Sequence, residues 1–333
     1  MPAPSAPPSR ASGVWLVLLT LLSWAAVPLF LRQFRDDGVI DPYTANGWRY
    51  GISALFWLPY LLWLARKGGV PKALLLAAAV PVAFNLLGQT AFAWGPTLLE
   101  PGFFSFVFRV QIVFVTLGAY LLFPPERAVL RTVRYWLGVG LVALGSVGLF
   151  LFRDKVGTPG HAPQAHDATF WLGVAVAVSS GVFFAGYGLS VRYFVSKYSP
   201  VVAFGVICQF TAVGMTGVML VLGREHGASA FGMSPFQWLL VALSAFIGIA
   251  ISHVMYYASI KRIGVSVSSG ILQLQPILTA VGSTFIFDER LTPLQWVSGL
   301  VGVGGAVLML VAGAAAHTKK ADTLRAEAEA QGS

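Results

Sequence analysis

The chain has 333 residues, 56% of them hydrophobic and 11% charged, at a mean hydropathy of +0.74. That leaves too little polar surface for a water-soluble domain of this length and points to a chain solvated largely by lipid. The net charge of +9 would suit a nucleic-acid binder, but its placement along the chain assigns it to membrane orientation instead, and no nucleic-acid partner is expected.

Residues 1–12, rich in Pro, Ala and Ser, read as a disordered tail. The first apolar run, 13–31, reads as a span rather than a cleaved signal peptide, because no small-residue cleavage site follows and Arg32 and Arg35 close it directly. Nine more runs of about 20 residues follow, at 43–64, 73–94, 102–123, 134–152, 170–190, 200–222, 236–258, 265–287 and 294–313. Backbone polar groups in lipid must pair within their own segment, so the ten runs are expected to be helices; the period-two alternation of a barrel is absent. Residues 153–169 form a polar connection after the fifth run. His161 and His166 there resemble a metal pair with Asp154 or Asp167, but Gly157, Pro159, Gly160 and Pro163 break any helix that would fix the ligands, so a solvated linker and no metal site are expected. Residues 314–333 form a cytoplasmic tail, whose Ala/Glu-rich part from Leu324 to Ala330 is expected as a frayed helix. The single cysteine, Cys208, lies within a span and permits no intrachain disulfide.

With the N-terminus placed in the cytoplasm, fourteen Lys and Arg fall in inner loops and tails and six in outer loops. This bias predicts a multi-pass protein of the cell's inner membrane with both termini cytoplasmic and 153–169 outside.

The second half of the chain repeats the first. Laying Tyr256-Tyr257-Ala258 over Phe92-Ala93-Trp94 puts Gln275 on Gln111, Gly282 on Gly118 and Phe287 on Phe123. Trp296 then meets Trp136 and Gly305 meets Gly145 after a four-residue insertion, while upstream Trp171 matches Trp15 and Pro200 matches Pro42. Each copy, 13–152 and 170–313, holds five apolar runs. An odd number forces the copies to face opposite ways in the bilayer, an architecture of secondary transporters whose site lies between the repeats near the midplane. The fold class expected is therefore all-α, ten transmembrane helices in two inverted five-helix repeats. Small residues on single helix faces, such as Gly173, Ala177, Gly181 and Ala185, suit close helix packing in lipid.

The residues also carry a resemblance. Gly264 to Gly270, Gln275-Pro276, the turn Phe287-Asp288-Glu289-Arg290-Leu291-Thr292, then Gln295-Trp296 and Gly299 resemble the closing half of an EamA-type repeat, the unit of the ten-helix branch of the drug/metabolite transporter superfamily. The first copy is similar but departs from it: Pro124-Pro125-Glu126-Arg127 stands at the acidic-basic turn, and Ile112 stands where the second copy has Pro276. Arg49 sits where that family often carries an arginine. The resemblance covers residues 13–313 and implies fold and topology, with substrates that range over amino acids, metabolites and drugs.

A polar side chain inside the bilayer costs several kcal/mol unless it is paired or wetted, so each one is a site candidate. Those proposed for substrate binding are Arg49, Asn85, Gln89, Arg109, Gln111, His253 and Gln275. Arg49 and Arg109 lie about two turns in from the outer ends of their helices, roughly 10 Å. A guanidinium at that depth either faces a cavity or snorkels to the headgroups. Gln275 admits a helix–helix hydrogen bond as well as a site role. His253 admits a backbone-bonded structural role as well as proton coupling, for which its ordinary pKa suits it. The inverted match sets His253 against Gln89 and Gln273 against Arg109, which predicts a polar path in two halves. Pro28 and Pro276 are hinge candidates, since each removes a backbone hydrogen bond. No Asp or Glu falls mid-span, which argues against a carrier of lipophilic cations, while buried arginines favour a carboxylate or phosphate.

These readings predict a secondary transporter that exports a small amphipathic or anionic metabolite by alternating access. The alternative is a flippase for a lipid or lipid-linked phosphate, with outer arginines holding the headgroup. An embedded enzyme needs a nucleophile–base cluster or metal ligands, and His253 has no intramembrane carboxylate partner in sequence, so no enzyme is expected. No cofactor and no obligate protein partner are implied; the partners are the small-molecule substrate and membrane lipid.

Overall fold

In the computed structural model, residues 9–98, 104, 107–152, 168–287 and 292–331 are described, and their regular structure is helical throughout. The tail 1–8, the linker 153–167 with both of its histidines, residues 99–103 and the Asp288-Glu289-Arg290-Leu291 turn lie outside the described residues.

The first repeat holds α1 (Arg10–Asp37), α2 (Pro42–Arg66), α3 (Lys72–Ala77), α4 (Ala79–Leu98), α5 (Gln111–Leu122), α6 (Arg127–Leu130) and α7 (Val133–Leu151). The second holds α8 (Ala168–Ser190), α9 (Pro200–Leu222), α10 (Pro235–Ala245), α11 (Ser252–Ile263), α12 (Val265–Leu272), α13 (Gln275–Ile286) and α14 (Pro293–Gln331). Seven helical stretches among the described residues are long and apolar enough to cross a membrane, against ten runs expected. The three others have separate reasons. α2 is long enough but carries Asn46, Arg49 and several Trp and Tyr; the run 102–123 is only partly described and bends by 115° into the segment that follows; and the apolar part of α7 is short, Val133–Gly148. The last helix does not stop near 313 but continues to Gln331, where Ala and Glu favour helix without any apolar face.

The helix pairs obey a twofold exchange of the repeats. α4 packs on α8, and its counterpart pair is α11 on α1; α5 packs on α8, and its counterpart is α13 on α1. α2 on α9 and α7 on α14 are each their own counterpart. α5 and α13 match residue for residue at the offset that brings Gln111 to Gln275. The two copies also start at opposite ends of the bundle. Gly13 lies against Arg262 and Ile263, whereas Phe170 clusters with Phe104 and Phe92 at the other end.

Along α7 and α14 the backbones touch, and a methyl group added at Gly138 would meet the Gly305 carbonyl while one at Gly145 would meet Gly302. Glycine is needed there because packing alone holds helices together in lipid. Large apolar side chains such as Leu76, Val213 and Phe285 project outward at 74–82% exposure, as a lipid-facing surface requires.

Side chains close each end. At one end Asp41 caps α2, accepting from the Tyr43 and Thr44 amides and from the Thr44 hydroxyl, and it also accepts from the Arg224 amide at 2.7 Å. Burial pushes the Asp41 carboxyl up, but these donated hydrogen bonds outweigh it and hold the pKa below its ordinary value. At the other end Glu126, 7% exposed in the turn after α5, accepts from the Val265 and Ser266 amides at 3.1 and 2.9 Å. Arg192 stands 3.8 Å from it. A carboxylate from the first repeat thus caps α12 of the second, and Gly264 admits it by taking φ +87°, where a side chain would strike the carboxylate.

Two predictions follow from the caps. Glu126→Ala leaves two first-turn amides unpaired and is expected to cost about 1–2 kcal/mol, with Glu126→Gln costing less; thermal unfolding in micelles measures both. Because the folded pKa of Asp41 lies below its unfolded value of about 3.9, the stability it contributes is complete above that value and lost as pH falls through the folded pKa. Asp41→Asn is therefore expected to be less stable at neutral pH and to lose less stability between about pH 4 and pH 2, as acid unfolding curves will show.

Candidate functional site

A cavity of about 870 Å³ lies between the repeats, lined from α1, α2, α4, α5, α8, the turn before α11, α11, α12 and α13. It owes its position to two helix breaks. Between Phe108 and Gln111 the chain leaves the α-helical pattern: the Val110 amide bonds the Val107 carbonyl at 3.1 Å and the Val113 amide bonds Val110 at 2.9 Å. At the matching positions the Leu274 amide bonds Ile271 at 3.1 Å and the Ile277 amide bonds Leu274 at 3.0 Å. The first copy breaks without a proline, since Ile112 still donates to the Arg109 carbonyl at 3.1 Å; in the second, Pro276 has no N–H to give the Gln273 carbonyl. Each break sets the amino end of a twelve-residue helix, α5 or α13, at the cavity wall.

Six of the seven residues singled out for binding come together here: Arg49, Gln89, Arg109, Gln111, His253 and Gln275. The seventh, Asn85, does not reach the cavity. It is fully buried between α2, α4 and α9, donating to the Tyr50 hydroxyl at 3.1 Å and to the Thr211 hydroxyl at 3.4 Å. Gln273, the inverted match of Arg109, lines the cavity as well.

Arg49 is 3% exposed; one of its terminal nitrogens donates to Asn46 Oδ1 at 2.9 Å, and its Nε has no acceptor. Its other terminal nitrogen rests against Gly248 in a π-helical turn over Phe246–Ile251. A side chain at 248 would strike Val27 on α1 first, at 2.5 Å, and would crowd the guanidinium at 3.0 Å. Arg109 lies with its guanidinium 5.3 Å from the Phe108 ring centre, and its buried Nε also lacks an acceptor. Among the described residues no carboxylate pairs with either arginine. On the acceptor side, the buried Oε1 of Gln273 has no donor.

Two residues show a backbone partner as well as a cavity face. Gln275 donates to the Trp24 carbonyl at 3.0 Å. His253 sits with Nδ1 3.1 Å from the Ile249 carbonyl, its ring stacked on Phe204 at 5.0 Å and edge-on to Trp24 at 5.1 Å. An Nδ1–H given to that carbonyl leaves Nε2 as the acceptor. Trp24 ties α1 to the π turn by donating to the Gly248 carbonyl and the Ser252 hydroxyl. Of the hinge candidates, Pro28 lies inside an unbroken α1 and Pro276 in the first turn after the second break.

Asn46 and Gly248 were not singled out from sequence. Asn46 had a signal, since it stands three residues before Arg49 on the same helix face. Gly248 had none, because only the fold brings it to Arg49.

The two repeats agree with comparison to known proteins. The model of the EamA-like transporter family matches residues 11–151 and, a second time, residues 171–311. The chain belongs to the EamA-like transporter family. It is 26% identical over 192 residues to an uncharacterized transporter of Synechocystis sp., covering 57% of this chain and 52% of that one. It is 25% identical over 211 residues to an uncharacterized transporter of Methanothermobacter thermautotrophicus, covering 62% and 55%. The chain thus spans about half the length of these curated relatives. One solved crystal structure of a protein superimposes with a TM-score of 0.70 at 18% identity, over 91% of this chain and 99% of that one, which establishes the likeness of fold. Family and apolar helices together make this a multi-pass membrane protein with a two-repeat EamA architecture.

Proposed function

We propose that this chain is a secondary transporter that exports a small amphipathic anion by alternating access between two inverted five-span repeats. The observation that carries the reading is a pair of guanidinium groups, Arg49 and Arg109, each with a buried Nε lacking an acceptor, on one cavity that holds no described carboxylate. A buried cation without a partner is costly, and an anionic ligand supplies the missing acceptors through charge-assisted hydrogen bonds. The helix amino ends at Gln111 and Gln275 favour negative charge at the same place. Rings of Trp24, Phe92, Phe108 and Phe184 offer the apolar body of the ligand a matching wall. The charge bias of the loops supports an inner-membrane orientation with both termini cytoplasmic.

Arg109 decides between this reading and a headgroup anchor. Lysine keeps the charge but loses the planar fork, so Arg109→Lys is expected to weaken uptake of a carboxylate into inverted vesicles less than Arg109→Leu. Loss of the pair is expected to cost about 2–5 kcal/mol of binding. Normal transport by a well-expressed Arg109→Leu protein overturns the anionic substrate.

His253 is the candidate for proton coupling, with Nε2 as the atom that takes the proton, since Nδ1 faces the Ile249 carbonyl. His253→Gln is expected to keep substrate binding and to flatten the pH dependence of transport. An unchanged pH profile leaves His253 as a structural residue.

A further inference from the structure

A second, much smaller crevice, about the size of one water, lies beside the loop that joins α8 to α9. Val191, Val195, Ala203, Tyr257 and Lys261 line it. It ends on Tyr257, while the central cavity ends on Tyr187. The two tyrosine hydroxyls are hydrogen-bonded to each other at 2.6 Å, and both side chains are buried at 2% and 4% exposure. One hydrogen bond thus links a residue on the wall of each space. Phe204 backs the partition, edge-on to Tyr257 at 5.7 Å and stacked on His253.

The repeat that governs the rest of the fold fails at this place. In the register that sets Trp171 on Trp15, Tyr187 falls on Leu31; in the register that sets Tyr256 on Phe92, Tyr257 falls on Ala93. Leu31 lines the central cavity, and neither Leu31 nor Ala93 can form a side-chain hydrogen bond. The Tyr187–Tyr257 hydrogen bond therefore has no counterpart at the matching positions of the first repeat.

We propose that the Tyr187–Tyr257 hydrogen bond is the thin gate of the permeation path, and that the crevice between α8, α9 and α11 is the route beyond it. The bond joins α8 to α11, so opening the route means separating those two helices. Both hydroxyls are buried and bonded to each other, so a ligand or water reaching the latch competes for that bond directly. Lys261 at the crevice mouth places a cation on the route of an anion.

The inference rests on the transport reading, but its test uses no substrate, so the two can fail separately. Cys208 is the only cysteine of the chain, fully buried one helical turn beyond Phe204. Its modification by a charged methanethiosulfonate, followed by mass spectrometry on the full-length protein in micelles, reports opening of the partition. Tyr257→Phe and Tyr187→Phe each remove the hydrogen bond and keep the ring. Each is expected to speed modification about fivefold, within the range of one neutral hydrogen bond. Tyr135→Phe removes a buried hydroxyl from its place beside Thr116 and Ser266 and serves as the control for general loosening. The gate is overturned if both latch variants react at the wild-type rate, or if the Tyr135 control accelerates as much as they do. Should one latch variant fail to give a monodisperse protein, the other carries the same two outcomes.

Discussion

Lipid offers no hydrogen bonds, and that constraint shapes the molecule. A helix that crosses a bilayer must satisfy its own backbone, and it can break only where the break is buried in protein or faces a wetted space. This chain breaks at Arg109-Val110 and at Gln273-Leu274, and both breaks face the same cavity between the repeats. The cavity and the breaks require one another. The freed helix ends need polar surroundings, and the polar residues at the breaks need a space from which lipid is excluded. The direct backbone contact of α7 with α14 holds one side of this arrangement tightly enough for the two repeats to keep their exchange symmetry.

Within that symmetric frame the chemistry is asymmetric. Arg109 and Gln273 occupy matching places at the breaks, the first with an unpaired donor and the second with an unpaired acceptor. Gln89 and His253 match in the same way. The repeat sets where polar groups stand, and the individual residues set which charge the cavity prefers. Arg49 is held by Asn46 of its own helix and lies against Gly248 of the π turn, so two elements specify its position.

The ends of the bundle show the same division of labour. Glu126 belongs to a turn that departs from the acidic-basic pattern of its counterpart, yet it caps a helix of the other repeat through two amide hydrogen bonds. Asp41 does the corresponding work at the opposite end by joining α2 to the segment after α9. Each carboxylate ties a helix start to the other repeat, so the hydrogen bonds that order the individual helices also couple the two halves.

Much of this was legible in the residues. Apolar length and the need to satisfy the backbone predicted helices, the spacing of Gln111 with Gln275 and of Trp136 with Trp296 revealed the repeat, and the scarcity of charge inside the spans drew attention to Arg49, Arg109 and His253, which the fold brings to one cavity. These features are local or periodic, so a single sequence displays them. What needed the tertiary structure was direction and partnership. Asn85 and Gln89 are four residues apart on one helix, but Asn85 turns to Tyr50 and Thr211 while Gln89 turns to the cavity. Nothing in the sequence puts Glu126 under the start of α12, Gly248 against Arg49, or Tyr187 against Tyr257. Those contacts join residues tens to hundreds of positions apart, and only the packing of whole helices, which depends on every face at once, decides which side chains meet.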